Sequence, residues 1–295
     1  MKGSELAAIW TGIQAPTTGD IRTELVREAA EYLGIGVQDA WDRLRGAGDR
    51  FRDEWSRTVG GSTDAATLTQ FYNHSDAELF ELIEWHASDP IHFRTLILRD
   101  AALRQRGRAY LDYGSGIGSD AVAFAAAGFD VTVADISDVL MGFAAFRCRK
   151  HGSRLRTIDL KSQTLPPNAY DVAVCFDVLE HIPKPIPVVR RIREALRPSA
   201  LFAIHAPFGV DPERPMHVAH RDVVTPRMRS FGFQPLDLHF PPPVLAPQVY
   251  RKVDLPLRDR VGYFVYDVYM KNNTGSQIAD IYRRIFAAPH LERAS

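Results

Sequence analysis

The chain has 295 residues and a mass of 33.1 kDa, with 45% apolar and 24% charged residues, within the range of ordinary globular proteins. Its 36 basic residues balance its 36 acidic residues, which argues against a nucleic-acid coat protein or a polybasic membrane binder, because both need excess positive charge. The balance is uneven, since residues 1–95 hold nine Lys and Arg against sixteen Asp and Glu, a net of −7. We therefore predict an acidic accessory region attached to a more basic remainder.

Cysteine usage and hydropathy narrow the class of protein further. Only two cysteines occur, Cys148 and Cys175, so the sequence predicts neither a disulfide framework nor a cysteine-based zinc site. Arg147 and Arg149 flank Cys148, and their charges would lower the pKa of its thiol. No apolar stretch approaches the roughly 18–20 residues of a membrane span, and the first residues do not resemble a signal peptide. We expect a cytoplasmic protein that contacts neither membranes nor nucleic acids.

The first third of the chain has the periodicity of helices. Asp20 is a suitable N-cap for a helix from Ile21 to about Leu33, where glycines follow. Large apolar side chains spaced 3, 7 and 4 residues apart predict one amphipathic helix over residues 41–55. A third helix is expected after Ser75, because Glu78 completes a capping box with it.

From Tyr110 onward, short apolar runs alternate with helical stretches. The predicted strands are Tyr110–Tyr113, Val131–Ala134, Leu155–Ile158, Asp171–Phe176 and Leu201–His205. The predicted helices between them are Asp120–Ala127, Val139–His151 and Ile186–Leu196. This alternation favours a parallel sheet covered by helices on both faces, with ligands bound at the carboxyl ends of its strands.

Beyond the fifth strand the pattern weakens. Arg221–Phe231 predicts a helix that a proline keeps short or bent. Gln234–Phe240 and the β-prone Val261–Met270 are predicted strands, separated by a proline-rich surface connection over residues 241–256. A terminal helix is expected at Ser276–Phe286.

The segment Leu111–Gly118 (LDYGSGIG) carries the clearest functional pattern. A strand leads into a glycine-rich turn and then a helix, so backbone can approach a ligand closely and offer unpaired N–H groups. Asp135 follows the next strand, where a carboxylate can accept hydrogen bonds from both hydroxyls of a ribose. A nucleoside ligand is expected, and a dinucleotide remains open at this point. The dinucleotide fingerprint, however, places its third glycine where Ser119 stands, not at Gly118.

A longer run of motifs decides between these ligands. The segment Asp171–Ile182 (DVAVCFDVLEHI), followed by the helix to Leu196 and then Arg197-Pro198, resembles the fourth and fifth strand region of class I S-adenosylmethionine-dependent methyltransferases. With the glycine turn, Asp135 and the pair Asp159-Leu160, the resemblance extends over residues 108–208 in the family's order. Four ordered motifs are far more specific than any one of them.

The resemblance implies a fold and a division of the chain. We expect a doubly wound, mainly parallel seven-stranded sheet of the Rossmann-like methyltransferase type. Residues 1–95 would form a helical cap or lid, and residues 96–295 the S-adenosylmethionine-binding domain. The chain departs from the family at Arg197–Ala200, where two glycines are usual before the fifth strand.

The resemblance also implies which residues hold the cofactor, S-adenosylmethionine. They are Asp112, Gly114, Gly116 and Gly118 around the methionine portion, Asp135 at the ribose, Ile136, Asp159 and Leu160 at the adenine, and Phe176 and Asp177 beside the sulfonium. Purely structural roles also exist for two of them: Asp112 could cap the adjacent turn, and Asp135 the following helix. Tyr72, in a Phe-Tyr-Asn-His run before the capped helix, is expected to close over the ligands or to fasten that helix to the core.

The acceptor side offers histidines. A hydroxyl acceptor benefits from a general base, most often His, whereas an amine need only arrive unprotonated. The candidates near the rim are His181, His205, His217 and His220, of which we take His217, His220 and His181 as the catalytic candidates. A structural role fits His181 equally well. No metal is predicted, because His217 and His220 lack a compelling third ligand.

The resulting hypothesis is a methyltransferase that acts on an oxygen or nitrogen of a small metabolite, with secondary metabolism as a compatible setting. It would act as a monomer or homodimer. Three alternatives stay open: an NAD-dependent oxidoreductase on a related fold, a non-catalytic cofactor-binding protein, and an enzyme for a protein or carrier-bound acceptor.

Overall fold

A computed structural model of the protein describes residues 3–62, 64–87, 93–209, 214–218, 224–241, 246–262 and 265. Within these ranges, helices precede the first strand. They are α1 (Gly3–Gln14), α2 (Ile21–Leu33), α3 (Val37–Leu44), α4 (Ala47–Thr58), α5 (Ala65–His74), α6 (Asp76–His86) and α7 (Phe93–Leu103).

Two of the predicted helix starts are confirmed by their caps. The Asp20 carboxylate accepts a hydrogen bond from Thr23 N at 2.7 Å and begins α2, which ends at Gly34 in the left-handed conformation. Ser75 Oγ accepts from Glu78 N at 3.3 Å and begins α6. Each cap satisfies one of the N–H groups that a helix leaves without an internal partner.

The single helix predicted over residues 41–55 is wrong, because the segment contains two helices. Gly46 has φ of +66° and separates α3 from α4. The apolar spacing that suggested one helix survives the break, since Leu44, Phe51 and Trp55 are all buried. Left-handed backbone suits glycine and stops a helix, so the glycine decided the boundary and the periodicity did not reveal it.

The sheet confirms the predicted fold class. Its seven strands lie in the order β3-β2-β1-β4-β5-β7-β6, and β1 to β5 pair in parallel. The parallel strands are β1 (Ala109–Tyr113), β2 (Asp130–Asp135), β3 (Leu155–Asp159), β4 (Tyr170–Phe176) and β5 (Leu196–His205). The helices between them are α8 (Ser119–Ala125), α9 (Asp138–Lys150) and α10 (Pro185–Ala195). Successive strands are added on one side of β1 up to β3, and from β4 onward on its other side. In such folds, ligands bind at the carboxyl ends of the strands beside this switch point between β1 and β4, and we call this edge the rim.

Two antiparallel strands, β6 (Phe233–Leu236) and β7 (Gln248–Lys252), complete the sheet beside β5. The predicted strand to residue 240 therefore ends early. The proline-rich connection over residues 241–256, predicted as a surface excursion, contains β7, whose Val249 and Tyr250 are buried. Two apolar side chains in a short polar context give too weak a pattern to predict a strand.

The C-terminal predictions fall only partly within the described ranges. Residues 225–227 form one turn of 3-10 helix where a bent helix was predicted. Residues 257–262 are helical, so the strand predicted from Val261 is wrong at its start, and most of it lies outside the described residues. The terminal helix predicted at residues 276–286 also lies outside them.

The N-terminal helices share a core with the sheet domain. Trp10 of α1, Leu25 of α2 and Phe80 of α6 pack in one buried cluster with Leu140 and Phe143 of α9. The boundary predicted between residues 95 and 96 falls inside α7, and the division into cap and domain stays a prediction. In the described part of the chain, no helix combines the length and apolarity needed to cross a membrane.

Burial decides the chemistry of the two cysteines. Cys148 and Cys175 are both fully buried free thiols. Burial raises the pKa of Cys148 to about 11, so the expected lowering by its arginine neighbours is wrong. Arg147 does act in the expected direction, but loss of hydration opposes the thiolate more strongly.

Candidate functional site

The glycine turn after β1 forms the floor of the rim. Gly114, Gly116 and Gly118 all have positive φ, and Gly114 N donates to Ala134 O at 2.8 Å. A Cβ at Gly114 would stand 2.3 Å from a methyl carbon of Val178. The turn therefore needs glycine for its conformation and also for its contact with the segment after β4.

Asp112 lies at the end of β1 with a side chain that is almost fully buried. Burial, followed by the charges of Asp120 and Asp135, raises the pKa of its carboxyl well above the ordinary value. Among the described residues, its Oδ2 has no hydrogen-bond partner. An oriented carboxyl of this kind can receive a cationic group, which would favour its ionised form.

Arg94 on α7 is a site residue that the sequence analysis missed. Its guanidinium is buried, stacks 4.2 Å from the centre of the Phe176 ring, and donates from Nη2 to Asp177 Oδ2 at 2.7 Å. Within the described structure, Nε and Nη1 are buried without a partner. Its charge also acts on Asp112 in the direction that lowers the pKa of that carboxyl. The only local signal was an arginine among apolar residues in the run Phe-Arg-Thr-Leu-Ile-Leu.

Asp135 ends β2 and faces the glycine turn. Its carboxylate accepts from the backbone N–H groups of Ile136 at 2.7 Å, Ser137 at 3.1 Å and Gly116 at 3.3 Å. Burial nevertheless raises the pKa of Asp135. The N-cap of α9 is Ser137, which accepts from Leu140 N, so the role of helix cap considered for Asp135 belongs to its neighbour.

The residues predicted at the adenine meet beside Asp135. Leu160 N donates to Asp135 O at 2.9 Å, which holds the turn after β3 against the end of β2. Asp159 accepts from Ser162 Oγ at 2.7 Å, and although burial opposes it, this bond and the neighbouring Lys161 lower the pKa of Asp159.

A lysine joins this edge to the N-terminal helices. Lys161 Nζ donates to Ile136 O at 2.7 Å, Asp138 Oδ1 at 2.8 Å and Asn73 Oδ1 at 3.2 Å. Asn73 Oδ1 also accepts from Asp138 N at 3.2 Å. The predicted lid therefore reaches the end of the rim where adenine is predicted to bind, through Asn73, the residue next to Tyr72.

Phe176 and Asp177 end β4 in the middle of the rim. Asp177 has a left-handed φ of +56°, a conformation that is uncommon for residues other than glycine, although Asp adopts it more readily than most. Its carboxylate lies between Arg94 and His205, whose Nδ1 stands 2.5 Å from Asp177 Oδ1. Burial works against ionisation, but the hydrogen bond from His205 and the charge of Arg94 hold the pKa of Asp177 well below its usual range.

The structure brings two of the catalytic candidates together, and Tyr72 with them. The imidazole rings of His181 and His217 meet edge to face at 5.1 Å, and the ring of Tyr72 lies 6.1 Å from His181. Burial and then the neighbouring His217 lower the pKa of His181 to about 4, while its Nδ1 lies 3.1 Å from Met216 O. His220 lies outside the described residues.

One further feature of this cluster concerns metals. The ligand atoms of Glu180, His181 and His217 all lie within 4.8 Å of one another, and two imidazoles with a carboxylate form a donor set that suits zinc. Sequence analysis paired His217 with His220 and did not find Glu180. The expectation of no metal stays a prediction.

The chain resembles known proteins over the same region. Residues 86–230 match a family described as a methyltransferase domain. The ubiquinone biosynthesis O-methyltransferase of Methylococcus capsulatus is 31% identical over 121 residues, 40% of this chain and 50% of that protein. The enzyme of the same name from Aeromonas salmonicida is 32% identical over 95 residues, 31% of this chain and 40% of that protein. The chain therefore spans about half the length of the curated relatives it matches.

One solved structure is similar to part of this chain. The Burkholderia thailandensis 1,6-didemethyltoxoflavin-N1-methyltransferase, determined with 1,6-didemethyltoxoflavin and S-adenosylhomocysteine, is 24% identical, with a TM-score of 0.48 over 64% of this chain and 89% of that chain. The family match begins at the end of α6 and contains β1 to β5 with the whole rim between them. Residues 86–230 thus carry a methyltransferase domain, and the ordered motifs within it are those of the class I S-adenosylmethionine-dependent methyltransferases.

Proposed function

We propose that this chain binds S-adenosylmethionine at the rim and transfers its methyl group to an oxygen or nitrogen of a small molecule. One observation carries the proposal. A carboxyl oxygen of Asp112 and two N–H groups of Arg94 are buried without partners in the described structure, and the two side chains act on each other electrostatically. An unsatisfied buried polar group costs about 1–3 kcal/mol, so a ligand that pairs with all of them binds favourably.

The methionine portion of the cofactor is such a ligand. Its ammonium would pair with Asp112, and its carboxylate with Arg94 Nε and Nη1, while Nη2 stays on Asp177. The positive φ values of the glycine turn let the backbone approach this portion closely. The two side chains match this ligand in charge and in number of donors. An amino acid zwitterion needs one anion for its ammonium and two parallel N–H donors for its carboxylate.

Other residues of the rim are proposed to contact the ribose, the adenine and the sulfonium of the cofactor. Asp135 keeps unused lone pairs beyond its three backbone bonds and would accept from the ribose hydroxyls. The contacts proposed for the rest of the cofactor are Ile136, Asp159 and Leu160 at the adenine, and Phe176, Asp177 and the lid residue Tyr72 around the sulfonium.

The bound cofactor supplies a methyl group on a positively charged sulfur. The residues of this chain would exclude water and align the acceptor, and alignment alone lowers the barrier of a direct displacement. Tyr72, His181 and His217 are proposed to line the acceptor side, with His220 assigned to the same loop. The two curated relatives described above are O-methyltransferases, which favours an oxygen acceptor.

The wider setting of the reaction is part of the same proposal. The acceptor is a small molecule, because a net charge of zero offers no attraction to a nucleic acid. The protein acts in the cytoplasm as a monomer or homodimer, and a place in secondary metabolism remains a hypothesis.

Thermal unfolding with added S-adenosylmethionine, S-adenosylhomocysteine or NAD tests the proposal. A ligand at 100 times its dissociation constant adds about 2.7 kcal/mol to stability, so the two sulfur compounds should raise the melting temperature and NAD should not. A response to NAD alone would favour the oxidoreductase. Binding without any product from a broad panel of acceptors would favour a non-catalytic binding protein.

Asp112→Asn makes the test specific to the site. Because burial raises the pKa of the Asp112 carboxyl and opposes its charge, an amide of the same shape should leave the unliganded protein at least as stable. The variant cannot ionise against an ammonium, so the ligand-induced rise in melting temperature should shrink or vanish. The matched control is Asp130→Asn, because Asp130 is exposed at the opposite end of the sheet, where β2 begins. An undiminished response in Asp112→Asn would remove the assignment.

A further inference from the structure

The ends of β4 and β5 carry an acid–imidazole pair, Asp177 and His205, and the proposed cofactor contacts give its imidazole no role. Phe176 and His205 are partners in the parallel ladder, and Asp177 N donates to His205 O at 2.8 Å. The next side chain after the ladder, that of Asp177, turns back in the left-handed conformation onto the ring of His205. Backbone and side chain together thus fix the two residues against each other.

The carboxylate of this pair is held from both sides. Asp177 Oδ1 lies 2.5 Å from His205 Nδ1, and Oδ2 accepts from Arg94 Nη2 at 2.7 Å. Arg94 is itself immobilised by burial and by its stacking on Phe176. A carboxylate that stays ionised requires a proton on Nδ1 of a neutral imidazole, and the lone pair then lies on Nε2.

The other ring nitrogen of His205, Nε2, is the one that could accept a proton. Within the described ranges no hydrogen bond engages Nε2, and the His205 side chain is 18% exposed at the rim. A carboxylate on Nδ1 orients the ring and stabilises the imidazolium that forms when Nε2 accepts a proton. This is the arrangement of a general base.

The imidazole of His181 is less suited to that task. His181 Nδ1 faces the backbone oxygen of Met216, a neutral group, and burial opposes a positive charge on the ring. A weak base accepts a proton from a hydroxyl poorly, because transfer is most efficient when the base has a pKa near the working pH. In the pair at the end of β5, by contrast, the positive charge formed by proton transfer would have a carboxylate 2.5 Å from Nδ1.

We infer that His205 is the general base of this methyltransferase and that its acceptor is a hydroxyl compound of the phenol class, with Asp177 and Arg94 as positioning residues. The inference rests on the proposed function. His205 Nε2 takes the hydroxyl proton while the acceptor oxygen bonds to the methyl carbon. The carbon–sulfur bond breaks, and its electron pair remains on sulfur. The products are the methyl ether, S-adenosylhomocysteine and a proton, which His205 later releases to water.

A hydroxyl acceptor is inferred because the His205–Asp177 pair would accelerate methylation of a hydroxyl more than methylation of an amine. An amine that arrives uncharged already has a nucleophilic lone pair and loses its proton after transfer, so a fixed base contributes little. A phenol has a pKa of about 10 and is mostly protonated at neutral pH, so removal of its proton accelerates the displacement.

Nitrogen-15 NMR of the histidine rings tests the geometry in the wild-type protein at pH 8, without an acceptor. We expect His205 in the Nδ1–H form. His151 provides an internal reference, because its Nε2 lies 2.7 Å from Glu28 Oε1 and should give the opposite tautomer. A proton on Nε2 of His205 in the neutral ring would overturn the inference. The wild-type spectrum needs no variant, so the test holds even if a substitution prevents folding.

Methyl transfer from labelled S-adenosylmethionine to phenols and ring-matched anilines tests the chemistry. His205→Gln should lower kcat by about 10²–10⁴-fold, the usual share of a general base, and leave the dissociation constant of S-adenosylhomocysteine within about twofold. His239→Gln, at an exposed histidine after β6, is the matched control and should retain activity. Methylation of anilines alone, or full activity in His205→Gln, would contradict the inference.

The two proposals fail in different ways. If S-adenosylhomocysteine does not bind the wild-type protein, the proposed function is wrong. If it binds and His205 has the wrong tautomer or is dispensable for turnover, only the inference about the base is wrong. If the panel contains no acceptor, the tautomer of His205 decides.

Discussion

At the scale of single residues, the site holds more negative groups than positive ones. Asp112, Asp120 and Asp135 are buried at the rim, and burial raises the pKa of each carboxyl, while Arg94 is the cation that acts on the first two. The proposed cofactor brings an ammonium and a sulfonium into this environment. Its two positive charges would favour ionised carboxylates at sites where burial alone disfavours them.

Asp135→Asn tests the ribose contact. The amide offers one acceptor oxygen instead of two, so we expect the affinity for S-adenosylhomocysteine to fall by about 10- to 100-fold, the value of one or two hydrogen bonds to a charged group. Isothermal titration calorimetry measures the change. Asp130→Asn, at the other end of the same strand, should bind as the wild type does, and equal affinities for both variants would remove Asp135 from the site.

The cysteines provide a second test at this scale. Because burial raises the pKa of Cys148 to about 11 and that of Cys175 well above its ordinary value, both thiols should resist iodoacetamide at pH 8. Mass spectrometry should find no alkylation in the folded protein and two alkylated sites in guanidinium. Rapid modification of Cys148 under native conditions would mean that its arginine neighbours outweigh burial.

How far the site could be predicted depends on the distance along the chain. Asp112, the glycines and Asp135 belong to one strand–turn–helix–strand unit, whose local pattern fixes their positions on the rim. Arg94 is 83 residues from its partner Asp177, and no local pattern reports a pair so far apart. The sequence predicts His205 near the rim, but its contact with Asp177 depends on the pairing of β4 with β5.

At the scale of elements, two ion pairs join α2 to α9, one of them buried and the other exposed to solvent. Glu28 accepts from Arg147 Nε at 2.8 Å, and both side chains are fully buried. Arg147 also donates to Ile117 O at 2.9 Å, so the pair reaches the glycine turn. One helical turn along, Glu31 accepts from Lys150 at 2.5 Å, but its side chain is 59% exposed.

This arrangement provides a matched pair of substitutions. Glu28→Gln leaves a buried guanidinium without its counter-charge and should lower the free energy of unfolding by about 3–5 kcal/mol. Glu31→Gln removes an ion pair of the same two helices and should lower it by less than about 1 kcal/mol, because water screens it. Urea unfolding at pH 7 measures both. Equal effects would mean that the buried pair contributes no more than a surface contact.

The same pair predicts a dependence on pH. Burial opposes the charge of Glu28, but Arg147 and a hydrogen bond from His151 lower its pKa below 4.5 in the folded state. A carboxyl with a lowered pKa binds protons more weakly when folded, so its stabilisation is present above pH 4.5 and is lost as the pH falls through its folded pKa. The stability difference between wild type and Glu28→Gln should therefore shrink in acid. A difference that grows in acid would contradict this sign.

Prediction of the elements was most reliable where side chains cap a helix or bury an alternating strand. Asp20 and Ser75 correctly predicted the starts of two helices, because each side chain accepts a hydrogen bond from a backbone N–H group in the first turn. The division of residues 41–55 depended on the conformation of a single glycine, and β7 depended on its pairing with β5. Both are decided by contacts that a local pattern does not contain.

At the scale of the whole molecule, the charge asymmetry of the sequence corresponds to contacts between its parts. Glu28 and Glu31 of the acidic N-terminal helices pair with Arg147 and Lys150 of α9, as the opposite charges of the two regions suggested. Gln14 strengthens the same junction, since its Nε2 donates to Ser119 O at 2.9 Å at the start of α8. The helices that form the predicted lid are thus anchored to the glycine turn by buried polar groups.

A shared core makes a strong prediction about unfolding. Because Trp10 and Phe80 pack in one buried cluster with Leu140 and Phe143, exposure of the N-terminal helices would also expose the face of α9. We therefore expect residues 1–95 and the sheet domain to unfold in one cooperative transition, without a populated state in which only the helices are lost.

The chain provides a separate probe for each part. All four tryptophans lie within residues 1–95, at positions 10, 41, 55 and 85, so their fluorescence follows the N-terminal helices alone. Both cysteines lie in the sheet domain, at positions 148 and 175, so pulsed alkylation follows that domain. In a urea titration the two midpoints should coincide, because neither part can keep its apolar surface buried without the other. A fluorescence transition complete before the thiols become reactive would instead establish the N-terminal helices as a separate unit, able to open while the sheet stays folded.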